Sequence, residues 1–124
     1  MIHEEICTYE VCKLAKEKGF NVPTYHAYNE NRQKAMYMEL CLNRNTKDSH
    51  SISAPTQSLL QRWLREEKGI IIELKYSDDT ESFRPFWSWQ IYNTLGITLE
   101  IGEPNTTYEL ALEDALKYAL ENLV

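Results

Sequence analysis

Residues 53–76 read SAPTQSLLQRWLREEKGIIIELKY, a predicted helix that runs directly into a predicted strand. Ser53 is placed to cap the first free N–H groups, and Pro55 lies in the first turn, where its missing N–H does no harm. Gly69 is placed to end the helix, which we expect over 54–68. In the IIIELKY that follows, apolar and polar residues alternate with the period of two typical of a half-buried strand. A helix and a strand joined in this way indicate a layered fold of both kinds of element.

The helix predicted over 54–68 has an apolar side and a polar side. The apolar side consists of Leu59, Leu60, Trp63 and Leu64. The other side is rich in amide and basic groups, which are the types that contact phosphates and base edges. The candidates for nucleic-acid contact are therefore Gln57, Gln61, Arg62, Arg65 and Lys68. A helix-turn-helix needs a second helix shortly upstream, whereas 35–52 predicts a strand and a polar loop, and a solvated helix side explains the same residues.

Two more helices are predicted, one at each end of the chain. The first covers 8–18, with Thr8 as its cap and Gly19 as its stop. The second covers 107–123, where Thr106 and Glu109 have the spacing of a capping box. Its apolar stripe contains Tyr108, Ala111, Leu112, Ala115, Leu116, Ala119, Leu120 and Leu123. Such a stripe needs a covering partner, and a sheet is the obvious one.

Alternating apolar residues predict strands at 36–42, 70–76, 83–92 and 97–101, while Thr24–Tyr28 forms at most a short strand. Polar loops separate them, among them NRNTKDSHS and the acidic run SDDTES at 77–82. We therefore predict an α+β fold with a mainly antiparallel sheet of about four strands, the last three forming a meander. The three helices are expected to pack chiefly on one face of this sheet.

Composition predicts one domain covering 1–124, since 124 residues with 43% apolar content can bury one core without a disulfide or a metal. The three cysteines and three histidines lack the spacing of a metal site, and no nucleophile elbow or phosphate loop occurs. We expect no catalytic residues, no metal and no cofactor. The acidic start MIHEEICTYE does not match a signal peptide, and no apolar run is long enough to cross a membrane, so a cytoplasmic protein is expected.

The net charge of −6 is concentrated near the C-terminus, because residues 96–124 contain six acids and one lysine. An acidic domain repels phosphate at long range, which counts against general affinity for nucleic acid.

Three neighbouring aromatic residues, Phe86, Trp87 and Trp89, are candidates for a protein-interaction surface. Trp87 and Trp89 lie two apart on the strand predicted at 83–92 and therefore share a face, while Phe86 points to the other face. Packing beneath the helices explains the tryptophans as well, and a stacking platform for single-stranded nucleic acid is a further alternative.

The stretch APTQSLLQRWLRE, the strand that follows and the closing TYELALEDALKYALE helix resemble a group of short proteins encoded by phages and prophages of gut bacteria. The resemblance covers 53–76 and 106–122. It implies a phage or prophage context and carries over no catalytic residues. Within the chain, LAKEKGF at 14–20 and LREEKGI at 64–70 resemble each other, which indicates either shared helix-end chemistry or a duplicated unit.

These observations favour a non-enzymatic binding module with a protein partner, because catalytic motifs are lacking while aromatic residues are abundant. One alternative is nucleic-acid binding through the helix at 54–68. Another is a homodimer closed by an exposed strand or aromatic face.

Overall fold

A computed structural model describes residues 2–79 and 84–124 of the chain. The elements are α1 (Tyr9–Glu17), β1 (Thr24–Asn29), β2 (Arg32–Leu42), β3 (Ser51–Ser53), α2 (Gln57–Lys68), β4 (Ile71–Asp79), β5 (Arg84–Tyr92), β6 (Thr98–Ile101) and α3 (Tyr108–Asn122). The α+β class is confirmed. The single sheet of about four strands is wrong, because the strands form two three-stranded antiparallel sheets, β2-β1-β3 and β4-β5-β6.

The chain divides into two compact units, Met1–Leu60 and Gln61–Val124, each with its own sheet. The organisation as one domain stays a prediction. The sheet of the first unit includes β3, a three-residue strand that the sequence did not predict and that pairs with β1 from Ala27↔Ser53 to Asn29↔Ser51. Its sequence is Ser-Ile-Ser, which is too short to show an alternation of apolar and polar residues. The strand is recognised only by its backbone hydrogen bonds to β1.

In the first unit, α1 packs against β2 and β3. Its apolar stripe is buried at Val11, Cys12 and Ala15. The helix ends as predicted at Gly19, which has φ 92°, and the Phe20 N–H donates to the Ala15 carbonyl at 2.9 Å. This left-handed termination then places Phe20 in the core.

In the second unit, α3 packs on β4 and β5. The predicted stripe is confirmed at its centre, since six of its residues are at most 2% exposed: Ala111, Leu112, Ala115, Leu116, Ala119 and Leu120. Pairing of β4 with β5 and of β5 with β6 confirms the predicted meander. The predicted turn at 77–82 lies partly outside the described residues; Ser77 and Asp78 belong to β4.

Two helices begin later than the sequence predicts. Thr56 rather than Ser53 caps α2, since the Leu59 N–H donates to Thr56 Oγ1 at 3.2 Å. Ser53 belongs to β3, and its hydroxyl accepts the Arg44 N–H at 2.8 Å. At α3 the cap is Thr107, not Thr106, and it accepts the Leu110 N–H at 3.1 Å. Both helices begin later because the backbone before them forms strand-like hydrogen bonds. Ser53 pairs with β1, and Asn105 pairs with Trp87 of β5.

The two similar segments at 14–20 and 64–70 occupy equivalent places. Each ends a helix at a glycine with positive φ, and a buried apolar residue follows. The sheets that follow are wired differently, because β3 pairs with the first strand of its hairpin whereas β6 pairs with the second. Shared helix-end chemistry therefore explains the similarity without a duplicated sheet.

The apolar alternation of two strands does not produce a buried face. On β2, Met36, Leu40 and Leu42 are 45–65% exposed, and at β6 the exposed residues are Ile97, Leu99 and Ile101. Both strands lie at the edge of their sheets, where fewer neighbours cover a side chain. Among the helices that the structure describes, none is long and apolar enough to cross a membrane.

Candidate binding groove in the first unit

The first unit exposes a group of large apolar side chains on β1 and β2. They are Tyr25, Met36, Tyr37, Leu40 and Leu42, each between 45% and 66% exposed. Single exposed apolar residues are common on proteins, whereas a group on two paired strands is typical of an interaction surface.

An irregular stretch of the β1–β2 ladder shapes this surface. Thr24 lies opposite Leu42, and His26 lies opposite Tyr37. Between these two pairs β1 advances by two residues while β2 covers five, so part of β2 leaves the ladder. Such bulges redirect side chains. In this register residues 38–41 of β2 lie between the two pairs, and Cys41 among them lines a groove.

The groove has a volume of about 510 Å³, within the range of sites that hold small molecules or short peptide segments. Its lining residues are Pro23, Thr24, Tyr25, His26, Tyr37, Cys41, Ala54, Pro55, Thr56 and Leu59. Among these described residues there is no Asp, Glu, Lys or Arg. The groove therefore offers aromatic and apolar surface together with hydroxyl, thiol and imidazole groups.

Aromatic rings form one wall of the groove. The rings of Tyr25 and Tyr37 lie 6.2 Å apart and are nearly parallel, at 16°. The His26 ring meets Tyr37 edge-on at 5.6 Å. Tyr25 and Tyr37 are 51% and 66% exposed, so much of both side chains remains accessible to a ligand.

Backbone hydrogen bonds hold another part of the groove lining. The His26 carbonyl accepts the Ala54 N–H at 2.9 Å and the Thr24 hydroxyl at 2.8 Å. The Pro55 carbonyl accepts the Cys7 N–H at 3.0 Å, and Ala54 is buried. These hydrogen bonds connect the lining residues of β1 to the segment that precedes α2.

His26 and Cys41 line the same groove although they are fifteen positions apart in the chain. Their spacing matches no sequence motif, and only the β1–β2 pairing brings them together. The signal that points to the groove is the composition of AMYMELCL at 35–42, in which only Glu39 is charged. Both faces of that strand are therefore apolar, which is typical of a strand covered on both faces. Because several of these residues are exposed in the structure, the strand is a candidate interaction surface.

The residues proposed for nucleic-acid contact do not form one exposed basic surface. Gln57 is 5% exposed, so its predicted place on the polar side of α2 is wrong; the helix starts at Gln57, where the chain is still buried. Gln61 donates to the Ile72 carbonyl at 3.0 Å, and Arg62 pairs with Glu66 at 3.0 Å. Lys68 lies over the Trp63 ring at 5.3 Å. Arg65 is exposed.

The predicted aromatic surface on β5 is mostly packing. Trp89 is 5% exposed and contacts Tyr118 of α3, so its placement on an open surface is wrong. Trp87 is half-buried and meets Tyr76 and Tyr108 edge-on, each at 5.1 Å. Phe86 is also half-buried. Packing of α3 on β5 explains why Trp89 lies in the core.

Comparison with known proteins adds no relative to these observations. No protein-family model, curated protein or solved structure matches the chain.

Proposed function

We propose that the chain is a non-enzymatic protein-binding module, and that its groove takes an extended, uncharged, proline-containing segment of a partner protein. The observation that carries this proposal is the uncharged groove walled by Tyr25, His26 and Tyr37. The phage or prophage context implied by the resemblance belongs to the proposal.

The chemistry of the groove selects the ligand. Proline-rich segments adopt an extended helix with its backbone carbonyls exposed, and they lose little entropy when they bind. Aromatic grooves recognise them by packing flat rings against the pyrrolidine rings while hydroxyl or imidazole donors bind the carbonyls. Tyr25 and Tyr37 supply the flat rings, and their hydroxyls and the His26 imidazole supply donors.

The surroundings of the groove support a protein ligand of more than a few residues. Met36, Leu40 and Leu42 are further exposed apolar side chains of β2. Tyrosine and methionine are enriched in the buried centres of protein interfaces, where charged residues are depleted.

Nucleic acid has less support as a ligand. The groove has no lysine or arginine among its described lining residues, and phosphate contacts supply much of the affinity for nucleic acid. On α2, Arg62 already pairs with a carboxylate.

The test is binding of a fluorescently labelled polyproline-type peptide, followed by anisotropy. We expect saturable binding to the intact chain and none of a glycine–serine peptide of equal length. Tyr25→Ser and Tyr37→Ser should each weaken binding about tenfold or more, since aromatic anchors dominate such interfaces. Tyr76→Ser is the matched control, because Tyr76 is also 51% exposed but lies in the second unit. Binding that is absent, or that both groove variants leave unchanged, would overturn the proposal.

A further inference from the structure

The outer edge of β4 has a sequence that is complementary to itself. We propose that two copies of the chain form a symmetric dimer by pairing their β4 strands antiparallel, with Leu74 opposite Leu74 of the second copy. This inference concerns the second unit and does not depend on the groove.

β4 presents a long and regular strand edge. Within the described ranges, β4 pairs with β5 alone and ends its sheet. Its nine residues pair with β5 without a register shift, whereas the β1–β2 and β5–β6 ladders are both irregular. Long regular edges are templates for another strand, and natural proteins usually interrupt them with bulges or prolines.

The hydrogen bonds of β5 show where the backbone groups of β4 point. The Trp87 N–H and carbonyl both bond to Asn105, each at 2.7 Å, and the Trp89 carbonyl accepts the Gly102 N–H at 2.9 Å. Opposite these two residues on β4 lie Tyr76 and Leu74. Directly opposed antiparallel residues exchange both hydrogen bonds or neither. The backbone N–H and carbonyl groups of Leu74 and Tyr76 therefore point towards the outer edge.

The same alternation places the Ile72 carbonyl on that edge, and there it accepts the Gln61 side chain at 3.0 Å. Gln61 thus covers one end of the edge, and Leu74 and Tyr76 remain its open part. A carbonyl oxygen has two lone pairs, so Ile72 can accept a further N–H from the second copy.

Symmetry limits the register. In an antiparallel pair related by a two-fold axis, some residue must lie opposite its own copy. Centring on Glu73 or Lys75 would place like charges opposite each other, which is destabilising. Centring on Leu74 instead places Glu73 opposite the second copy's Lys75, and the reverse, which forms two opposite-charge pairs on the exposed face.

The other face also matches in this register. Leu74 lies opposite Trp89, which contacts Tyr118 of α3, so Ile72, Leu74 and Tyr76 lie on the helix-covered face. Pairing around Leu74 places Tyr76, 51% exposed, beside the second copy's Ile72. The apolar layer beneath the helix would then continue into the second copy.

The test is sedimentation equilibrium of the full chain at physiological ionic strength, where the net charge of −6 is screened at long range but contacting pairs are not. We expect a dimer for the wild type. Glu73→Lys and Lys75→Glu, each alone, place like charges opposite each other twice and should raise the dissociation constant about tenfold or more. Glu73→Lys also reduces the net negative charge of the chain. If repulsion between whole chains controlled dimerisation, this variant would dimerise more tightly than the wild type rather than more weakly.

An equimolar mixture of the two variants should recover the dimer, because each chain then carries the charges that the other lacks. The double variant E73K/K75E should recover it as well. The controls Glu67→Lys and Lys13→Glu make the same charge changes at exposed helical positions and should leave the dimer unchanged. Three results would overturn the inference. The wild type stays monomeric, or both single variants dimerise as the wild type does. In the third, both single variants are monomeric and their equimolar mixture is monomeric too.

Discussion

Gly102 shows at the scale of one residue how packing restricts the sequence. A Cβ placed there would lie 1.8 Å from Cε2 of Trp89, so the indole ring packs directly on the backbone of the segment after β6. Nothing in the sequence marks this contact, because the strand pattern places Trp89 on a face but does not show what covers it.

We expect Gly102→Ala to destabilise the chain by about 1–3 kcal/mol or more, since the buried ring must move to admit a methyl group. Chemical denaturation measures the loss. Trp89→Leu removes the ring atoms that meet the new methyl, and because Trp89 Nε1 is buried without a hydrogen-bond partner among the described residues, it leaves no group newly unpaired. Gly102→Ala should therefore cost much less in a Trp89→Leu background, and equal costs in both backgrounds would contradict the packing.

Glu100 and Tyr118 form a pair that responds to pH. The Tyr118 hydroxyl donates to Glu100 Oε2 at 2.7 Å. This hydrogen bond, with a smaller contribution from the Ile101 N–H, holds the pKa of Glu100 below its ordinary value of 4.5. The same bond raises the pKa of Tyr118 above 10.0. Because the pKa of Glu100 is lower in the folded chain, its ionisation stabilises the fold above pH 4.5, and this stabilisation is lost as pH falls through the folded pKa. Because the pKa of Tyr118 is higher in the folded chain, its protonated hydroxyl stabilises the fold below pH 10.0, and this stabilisation is lost as pH rises through the folded pKa.

Tyr118→Phe should accordingly lower the unfolding temperature between pH 4.5 and pH 10.0. The difference from the wild type should fade as pH falls below that range, because a protonated Glu100 no longer gains from the bond. Tyr92→Phe is the control: the Tyr92 hydroxyl donates to Gln90, which does not titrate. A difference for Tyr118→Phe that stays constant down to strongly acidic pH would show that the bond to the carboxylate contributes nothing.

At the scale of elements, helix ends were easier to predict than strand environments. Local chemistry decides where a helix stops, so Gly19 and Gly69 were predicted correctly. The sequence does not predict the caps at Thr56 and Thr107, because the residues before each helix form strand-like pairs that local helix chemistry does not reveal. The exposure of β2 could not be predicted from alternation, since that pattern gives the faces of a strand but not whether a partner covers them.

Gly19→Ala tests the helix-end chemistry. Gly19 has φ 92° and open space around the position of a Cβ, so any cost is conformational rather than steric against neighbours. We expect a loss of about 1 kcal/mol, partly offset by the stiffer unfolded chain. Gly19→Asn should cost less, because asparagine tolerates the left-handed region better. Thermal unfolding compares the three chains, and an alanine variant as stable as the asparagine variant would contradict this account.

At the scale of the whole molecule, the two units differ in charge. Residues 1–60 contain seven lysines or arginines and seven acids, whereas 61–124 contain six and twelve, so the net charge of −6 belongs to the second unit. The sequence predicted the α+β class and the β4–β6 meander from periodicity. It could not predict two sheets, because pairing partners depend on contacts between distant residues. For the same reason the groove residues, drawn from β1, β2 and the start of α2, were not among the predicted site residues.

The central claim is that the uncharged aromatic groove of the first unit binds a proline-containing segment. Its most direct test is a nuclear magnetic resonance titration of the isotopically labelled full chain with a polyproline-type peptide. We predict that the resonances of Tyr25, His26 and Tyr37 shift progressively and saturate, while those of Trp87 and Arg65 stay in place. Saturable shifts confined to the second unit, or no shifts at all, would contradict the claim.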